Sequence, residues 1–311
     1  MRFQFFPLRF EFIARESLFF PPGKAANILR GAFGLIFKRL ACVPECQDTS
    51  TCDRRGFCPY ARVFEPASTG TGPSGLSYWP RPFVFRARHL DGRTIQPGEA
   101  FHFDLHVFSL QPGILDYFIR TFAELAREGV GPRRGKAELQ SVKRFAFEDL
   151  DEQILYPPAT IDALLQPATL DLARVSPATH RIRVDFLSPT ELKHERSIAD
   201  RPEFPILFGR IRDRISTLRA LYGPGPLEID FRALGDRSAA VRITRYELQR
   251  QEADRRSTRT GQSHSIGGFV GFAEYQGELT EFLPYLEAGR WVGVGRQAVW
   301  GKGEISVQPL P

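Results

Sequence analysis

All four cysteines of the chain fall within seventeen positions, in the order Cys42-x3-Cys46-x5-Cys52-x5-Cys58. Four thiolates satisfy the tetrahedral preference of zinc and leave no ligand position for water, so the chemistry they offer is structural and not hydrolytic. An iron–sulfur cluster asks for the same ligand set and stays open as a reading, as does a redox pair of thiols. The loop that carries them is poor in apolar residues, and a metal would supply the core it lacks. The opening residues, Met1-Arg2-Phe3-Gln4-Phe5-Phe6-Pro7, are interrupted by charge and Pro where a secretory signal would be apolar. Disulfides are therefore the less favoured use of these thiols.

Two other constellations suit a phosphate-bearing partner. The first is Arg255-Arg256-Ser257-Thr258-Arg259-Thr260-Gly261-Gln262-Ser263-His264, which places guanidinium groups, hydroxyls and one imidazole in a single loop. Such groups donate readily to phosphate oxygens. The second runs from Gly289 to Gly303 and includes Gly293, Gly295, Arg296, Gly301 and Lys302. Glycines let a backbone approach a ligand and can expose amides as a nest for phosphate. Trp291 and Trp300 offer flat surfaces for a base. The spacing is not that of a Walker loop, nor of a Gly-x-Gly-x-x-Gly turn opening a helix. An ordinary polar hairpin tip and a tight-turned structural segment are the plainer readings of these two stretches.

The elements that must hold these groups are legible from hydrophobic period. Phe3, Phe5, Phe10 and Phe12 alternate with Arg2, Gln4, Arg9 and Glu11, which predicts a half-buried strand. After the break at Pro21-Pro22-Gly23, the apolar residues Ala26, Leu29, Phe33, Ile36, Phe37 and Leu40 recur at helical steps. Gly31 and Gly34 lie inside that helix, where glycine is costly unless a backbone comes close. A Gly/Ser/Pro stretch follows around Ser68 to Gly75. Strands are expected over Phe83 to Phe85 and Phe101 to Phe108, and a helix over Ile114 to Glu128. His102 and His106 then share one strand face. Residues Tyr156 to Thr179, rich in Pro, read as a connection. The pattern restarts with a strand at Arg181 to Leu187 and a helix at Phe204 to Leu221. Strands at Val241 to Leu248 and Ile266 to Tyr275 follow, then a short helix capped by Thr280 and stopped by Gly289, and a last strand. This order predicts an α+β protein of two tandem ferredoxin-like folds, residues 1–155 and 180–311 joined by 156–179, with the cysteine loop 42–60 inserted in the first.

Net charge is +6 with a pI of about 9.3, and nearly all the basic residues are Arg. Arg suits phosphate and stacks on bases. From Arg201 to Thr260 thirteen Arg face eight acidic residues, a local positive field of the kind a polyanion selects. No apolar run reaches the roughly 18 residues of a membrane span. The expectation is a cytoplasmic protein with no membrane partner.

In this order the pieces resemble the CRISPR-associated precursor-RNA processing endoribonucleases of the RAMP superfamily. The resemblance rests on Leu29-Arg30-Gly31-Ala32-Phe33-Gly34, Cys58-Pro59-Tyr60 and Phe64-Glu65. Further along it rests on Arg256-Ser257-Thr258-Arg259, Gly267-Gly268-Phe269-Val270-Gly271 and the terminal Gly-rich loop. It implies RAMP or RRM-like folds, recognition of CRISPR repeat RNA, and contact with other CRISPR effector subunits. It also implies metal-independent cleavage, in which a ribose 2′-hydroxyl attacks the adjacent phosphate; any zinc would then be architectural. That chemistry needs a base, an acid and cations for the developing charge. His264 is the candidate acid or base, Lys302, Arg256 and Arg259 the candidate charge stabilisers, and Tyr246 a positioning group. RNA binding is assigned to Arg30, Arg255, Arg256, Arg259, Gly293, Gly295, Arg296, Gly301 and Gly303. No His precedes His89, so the alternative is a non-catalytic RAMP subunit that holds guide RNA in an effector complex. A zinc-stabilised DNA-binding regulator is a third class, which the lack of helix-turn-helix or zinc-finger spacing disfavours.

Overall fold

The computed structural model describes residues 1–43, 46, 49, 51–66, 79–148, 150–156, 165–195, 197–252, 254–256, 263–265 and 267–311. The stretch from Ser68 to Gly75 and residues 157–164 of the expected connection lie outside the described residues. The chain forms two units. One comprises Gln4–Ala168 with Leu221–Gly223; the other comprises Met1–Phe3, Thr169–Ala220 and Pro224–Pro311.

The first unit is built from β1 (Arg2–Ala14), β2 (Leu18–Phe19), α1 (Ala25–Ala41), α2 (Pro59–Val63), β3 (Phe83–Arg86), β4 (Thr94–Ile95), β5 (Ala100–Val107), α3 (Ile114–Glu128), β6 (Ala137–Arg144) and β7 (Gln153–Tyr156), with β8 (Ala168–Asp171) at its end. The main sheet runs β3-β5-β1-β6-β7, and β8 pairs with β1 off this path. The β1–β5, β1–β6, β3–β5 and β6–β7 pairings are all antiparallel. Phe residues on alternate positions of β1 and β5 stack across the ladder, as Phe10 does on Phe103 at 5.3 Å and Phe12 on Phe101 at 5.2 Å. The apolar stripe of α1 packs on that of α3, where Phe33 stacks on Phe118 at 4.9 Å.

Close approach explains one of the two α1 glycines. A Cβ on Gly34 would lie 2.1 Å from Phe64 Cζ, whereas Gly31 has nothing within 4 Å. Strand β6 escaped the sequence reading for a physical reason. Its register against β1 shifts between Glu11 and Phe12, so Ala137 and Leu139 face inward before the bulge and Val142 and Arg144 after it. The inward parity changes halfway, and no clean alternation survives. His106, on the same face as His102, is buried with its ring edge toward Phe5.

The second unit contains β9 (Arg181–Thr190), β10 (Lys193–His194), β11 (Ser197–Ile198), α4 (Phe204–Tyr222), α5 (Phe231–Ser238), β12 (Arg242–Gln251), β13 (Asp254–Arg256), β14 (Ser263–Ser265), β15 (Gly268–Gln276), α6 (Leu283–Val292) and β16 (Ile305–Pro309). Its four-stranded sheet runs β12-β15-β9-β16, all antiparallel. The order along the chain is therefore β, α, β, β, α, β, with the small pairs and α5 as additions. Phe204, Phe208, Tyr275 and Phe282 form the aromatic centre, edge to face at 4.7 to 5.3 Å.

Helix α6 differs from expectation at both ends. Thr280 does not cap it; its hydroxyl accepts from the Thr179 amide at 3.0 Å, and the helix begins at Leu283 with Pro284 in its first turn. At the other end the helix runs through Gly289, whose missing Cβ makes room for Ile211 at 3.0 Å. Gly293, with φ of 73°, closes it. Among the described residues no helix is long and apolar enough to cross a membrane.

Candidate nucleic-acid interface and the thiol cluster

Strand β12 is the edge of the second unit's sheet, and nearly all its side chains are exposed. It presents Arg242, Arg245, Tyr246, Glu247, Gln249 and Arg250 to solvent. Arg245 pairs with Glu247, and Arg250 with Glu252 at 3.0 Å. These are surface ion pairs, which water and salt screen easily and a phosphate can replace. Tyr246, 45% exposed, hydrogen bonds with Arg201, and that bond together with Glu203 holds the guanidinium above its usual range.

The neighbouring strand adds an aromatic platform that sequence reasoning missed. Along β15, Phe269, Ala273 and Tyr275 share the core-facing side, and the alternation puts Phe272, paired opposite Asp185, on the open face of the sheet. There the Arg183 guanidinium lies 3.7 Å from its ring centroid and Arg245 lies 5.2 Å away. Arg183 is in turn held by Asp185 at 2.8 Å. A ring covered by two cations is only 8% exposed, which is why it passes for a core residue. Little in the sequence signals it, because Phe272 falls in the apolar Gly-rich run Gly267-Gly268-Phe269-Val270-Gly271-Phe272-Ala273.

Beyond β12, β13 and β14 form a hairpin in which Arg255 stands opposite His264 and Arg256 opposite Ser263. The segment from Ser257 to Gln262, including Arg259, lies outside the described residues. The backbone register thus brings the positions of His264, Arg255 and Arg256 onto one ribbon, which follows β12 in the chain.

The terminal glycines do different work from that expected. Gly293, Gly295, Gly301 and Gly303 all have left-handed backbones, with φ between 66° and 76°. Their surroundings are the protein's own carbonyls. A Cβ on Gly295 would sit 2.3 Å from Glu191 O, and one on Gly303 would sit 1.9 Å from Val294 O. The loop amides are also committed: Gly293 donates to Gly289 O, Val294 to Gly303 O, Arg296 to Glu191 O, Gly301 to Ala298 O and Gly303 to Pro189 O, at 2.9 to 3.1 Å. An exposed nest of amides is therefore not what this loop presents. It is stitched to the end of β9. Arg296 stays half exposed and reaches Glu191 at 2.6 Å. Lys302 is 4% exposed, and Arg30, on α1 in the first unit, is 6% exposed with its guanidinium 4.7 Å over the Phe64 ring. Neither displays its charge to solvent as the sequence reading supposed.

The cysteines lie in the first unit. Cys42 ends α1 and Cys58 precedes α2, and their sulfurs stand 3.8 Å apart. Cys46 neighbours both Cys42 and Cys52. Burial, then Cys58 and Cys46, pushes the Cys42 thiol up to about 12, and burial also raises Cys46. All four residues line a cavity of about 400 Å³. Among the described residues no three His, Cys, Asp or Glu side chains converge as a finished metal site. The cluster is gathered but not closed.

Two family profiles match the sequence: residues 3–168 match one described as an N-terminal domain (AF_1859_N), and residues 184–305 match the CRISPR-associated endoribonuclease Cas6. Among solved structures, a Cas6 product complex is similar with a TM-score of 0.58 at 18% identity, covering 98% of this chain and 100% of that one. Cas6 of Thermus thermophilus is similar with a TM-score of 0.55 at 16% identity over 99% of each chain. A partial Cas6-RT-Cas1–Cas2 complex gives 0.58 at 12% identity, covering 99% of this chain and 46% of that chain. At such identities these likenesses speak for fold alone. No curated protein matches the sequence.

Proposed function

We propose that the chain is a CRISPR repeat RNA-processing endoribonuclease of the Cas6 family, whose profile residues 184–305 match, and that it cuts by attack of a ribose 2′-hydroxyl on the adjacent phosphate, without a metal at the scissile bond. The products are a 2′,3′-cyclic phosphate and a free 5′-hydroxyl, so the protein has to take one proton, return one and stabilise the charge between. The observation that carries this reading is the match of residues 184–305 to the endoribonuclease family. The match to an endoribonuclease profile favours this reading over the non-catalytic alternative.

The same span holds the groups the reaction asks for. In this reading the β13–β14 ribbon supplies His264 as acid or base and Arg255 and Arg256 as phosphate ligands, and Arg259, between the two strands in sequence, is a further phosphate ligand. The exposed edge of β12 carries the flanking RNA, with Tyr246 positioning a nucleotide. Buried Lys302 supports the loop and not the reacting phosphate. Each unit's strand order supports a ferredoxin-like fold, since in both the chain order β, α, β, β, α, β gives a sheet with the first and third strands central. Work in the cytoplasm beside other CRISPR-associated subunits belongs to the same proposal.

The test is a labelled repeat RNA incubated with the protein in enough EDTA to bind free metal, at a level that leaves its circular dichroism unchanged. A single cut with a cyclic phosphate end, abolished by one 2′-deoxy substitution at the cut, is the expected result. His264→Ala is expected to slow single-turnover cleavage by about 10²-fold or more, the usual worth of a positioned acid or base. Cleavage that requires added divalent metal overturns the mechanism, and parental cleavage by His264→Ala overturns the assignment of that residue.

A further inference from the structure

The four cysteines have no part in the cleavage proposed above. We propose that Cys42, Cys46, Cys52 and Cys58 bind one zinc ion as a structural tetrathiolate centre that joins the end of α1 to the start of α2.

Geometry carries the argument. With zinc–sulfur bonds of about 2.3 Å, the sulfurs of a tetrahedral site stand about 3.8 Å apart. Cys42 and Cys58 show that separation, 3.8 Å, where a disulfide would need about 2.05 Å. From that edge the contacts continue, Cys42 to Cys46 and Cys46 to Cys52, so each sulfur has another as neighbour around one cavity.

The loop's construction points the same way. Its turns are local, with the Cys46 amide donating to Val43 O, Arg55 to Cys52 O and Cys58 to Arg54 O, at 2.9 to 3.0 Å. The large apolar residue it contains, Phe57, is 87% exposed and packs no core. Loops without apolar content hold one shape only when something else ties them, and metal binding does so with a free energy that becomes folding free energy. Binding releases the thiol protons and leaves a centre of charge −2. Arg54 lines the cavity and Lys38 lies near Cys46, so cations stand where that charge would form.

The experiment is a metal analysis of the full chain, purified under reducing conditions and desalted. One zinc per chain is expected, together with slow reaction of the thiols toward a disulfide reagent until a mercurial displaces the ion. Replacing zinc by cobalt should give the visible bands of a tetrahedral thiolate site, a signature independent of any variant. Cys52→Ser should lower retained zinc by tenfold or more; if it fails to fold, the stoichiometry and cobalt spectrum of the parent chain still decide. Zinc lost on desalting, thiols that all react at the free-thiol rate, or iron and sulfide in place of zinc would each overturn the proposal. RNA cleavage that fails while zinc is retained bears on the function above and not on this site.

Discussion

Gly31 and Gly34 sit one turn apart on α1, and a methyl group added to each meets opposite surroundings. At Gly34 it would overlap three carbons of the Phe64 ring, the nearest at 2.1 Å. That ring has no room to retreat. Arg30 and Arg81 lie over it at 4.7 and 5.3 Å, Tyr60 stacks on it at 5.3 Å, and Phe33 stands 6.0 Å away. Gly34→Ala is therefore expected to destabilise the first unit by about 1–3 kcal/mol, an overpacking cost that exceeds the gain from alanine's better helix propensity. Gly31→Ala meets open space and keeps only that gain, so it should stabilise by about 0.5–1 kcal/mol. Urea unfolding followed by circular dichroism reads both. If the two substitutions shift stability in the same direction, close packing of Phe64 on the helix backbone is not the reason for Gly34. The residue type alone could not have told the two glycines apart, because the contact that separates them comes from thirty positions further along the chain.

At the scale of elements, the segment between α6 and β16 is held in shape by left-handed turns. Gly303 has φ of 66° and would bring a Cβ within 1.9 Å of Val294 O, a backbone atom that already accepts no freedom because Val294 N donates to Gly303 O at 2.9 Å. Gly303→Ala should cost at least about 2 kcal/mol, from the strained backbone and the clash together. A thermal midpoint equal to the parent's would show that the loop can rearrange and that its glycines serve something other than the turn. This loop also marks how far elements could be read without coordinates. Strands and helices with one clean period, such as the second half of β1 and all of α3, were visible because each buries a single face. One with a slip was not: β6 changes inward parity at the bulge opposite Glu11. Helix α5 is short and mostly exposed, and its start is set by a side-chain cap, Asp230 accepting from the Ala233 amide at 2.9 Å. The gathering of the four thiols was legible from their spacing alone. The Arg-covered platform was not, since Arg183 and Arg245 reach Phe272 from the two neighbouring strands.

At the scale of the whole molecule, net charge is a poor guide to where RNA is held. The chain carries +6, yet the excess of thirteen Arg over eight acidic residues between Arg201 and Thr260 is concentrated around α4 and the β12 edge. If binding depended on overall charge, removing cations anywhere would weaken it alike. If it depends on the edge strand, position decides. Arg242, Arg245 and Arg250 are exposed on one strand, and the carboxylate partners of Arg245 and Arg250, Glu247 and Glu252, are near neighbours in exposed pairs that a phosphate can replace. Arg120 and Arg127 on α3 are equally exposed and equally paired, to Asp116 at 2.7 Å and Glu124 at 3.5 Å, but stand outside the basic stretch. For a single-stranded ligand each phosphate contact adds about 0.7 to the slope of log affinity against log salt, so three lost contacts should flatten it by about 2. The triple change of Arg242, Arg245 and Arg250 to Ala is expected to do so in repeat-RNA titrations across salt, with little change in thermal midpoint. The double change of Arg120 and Arg127 to Ala should leave the slope within error of the parent. Equal flattening by both variants would mean that the RNA feels the charge of the whole protein, and the edge of the second sheet would lose its claim to be the interface.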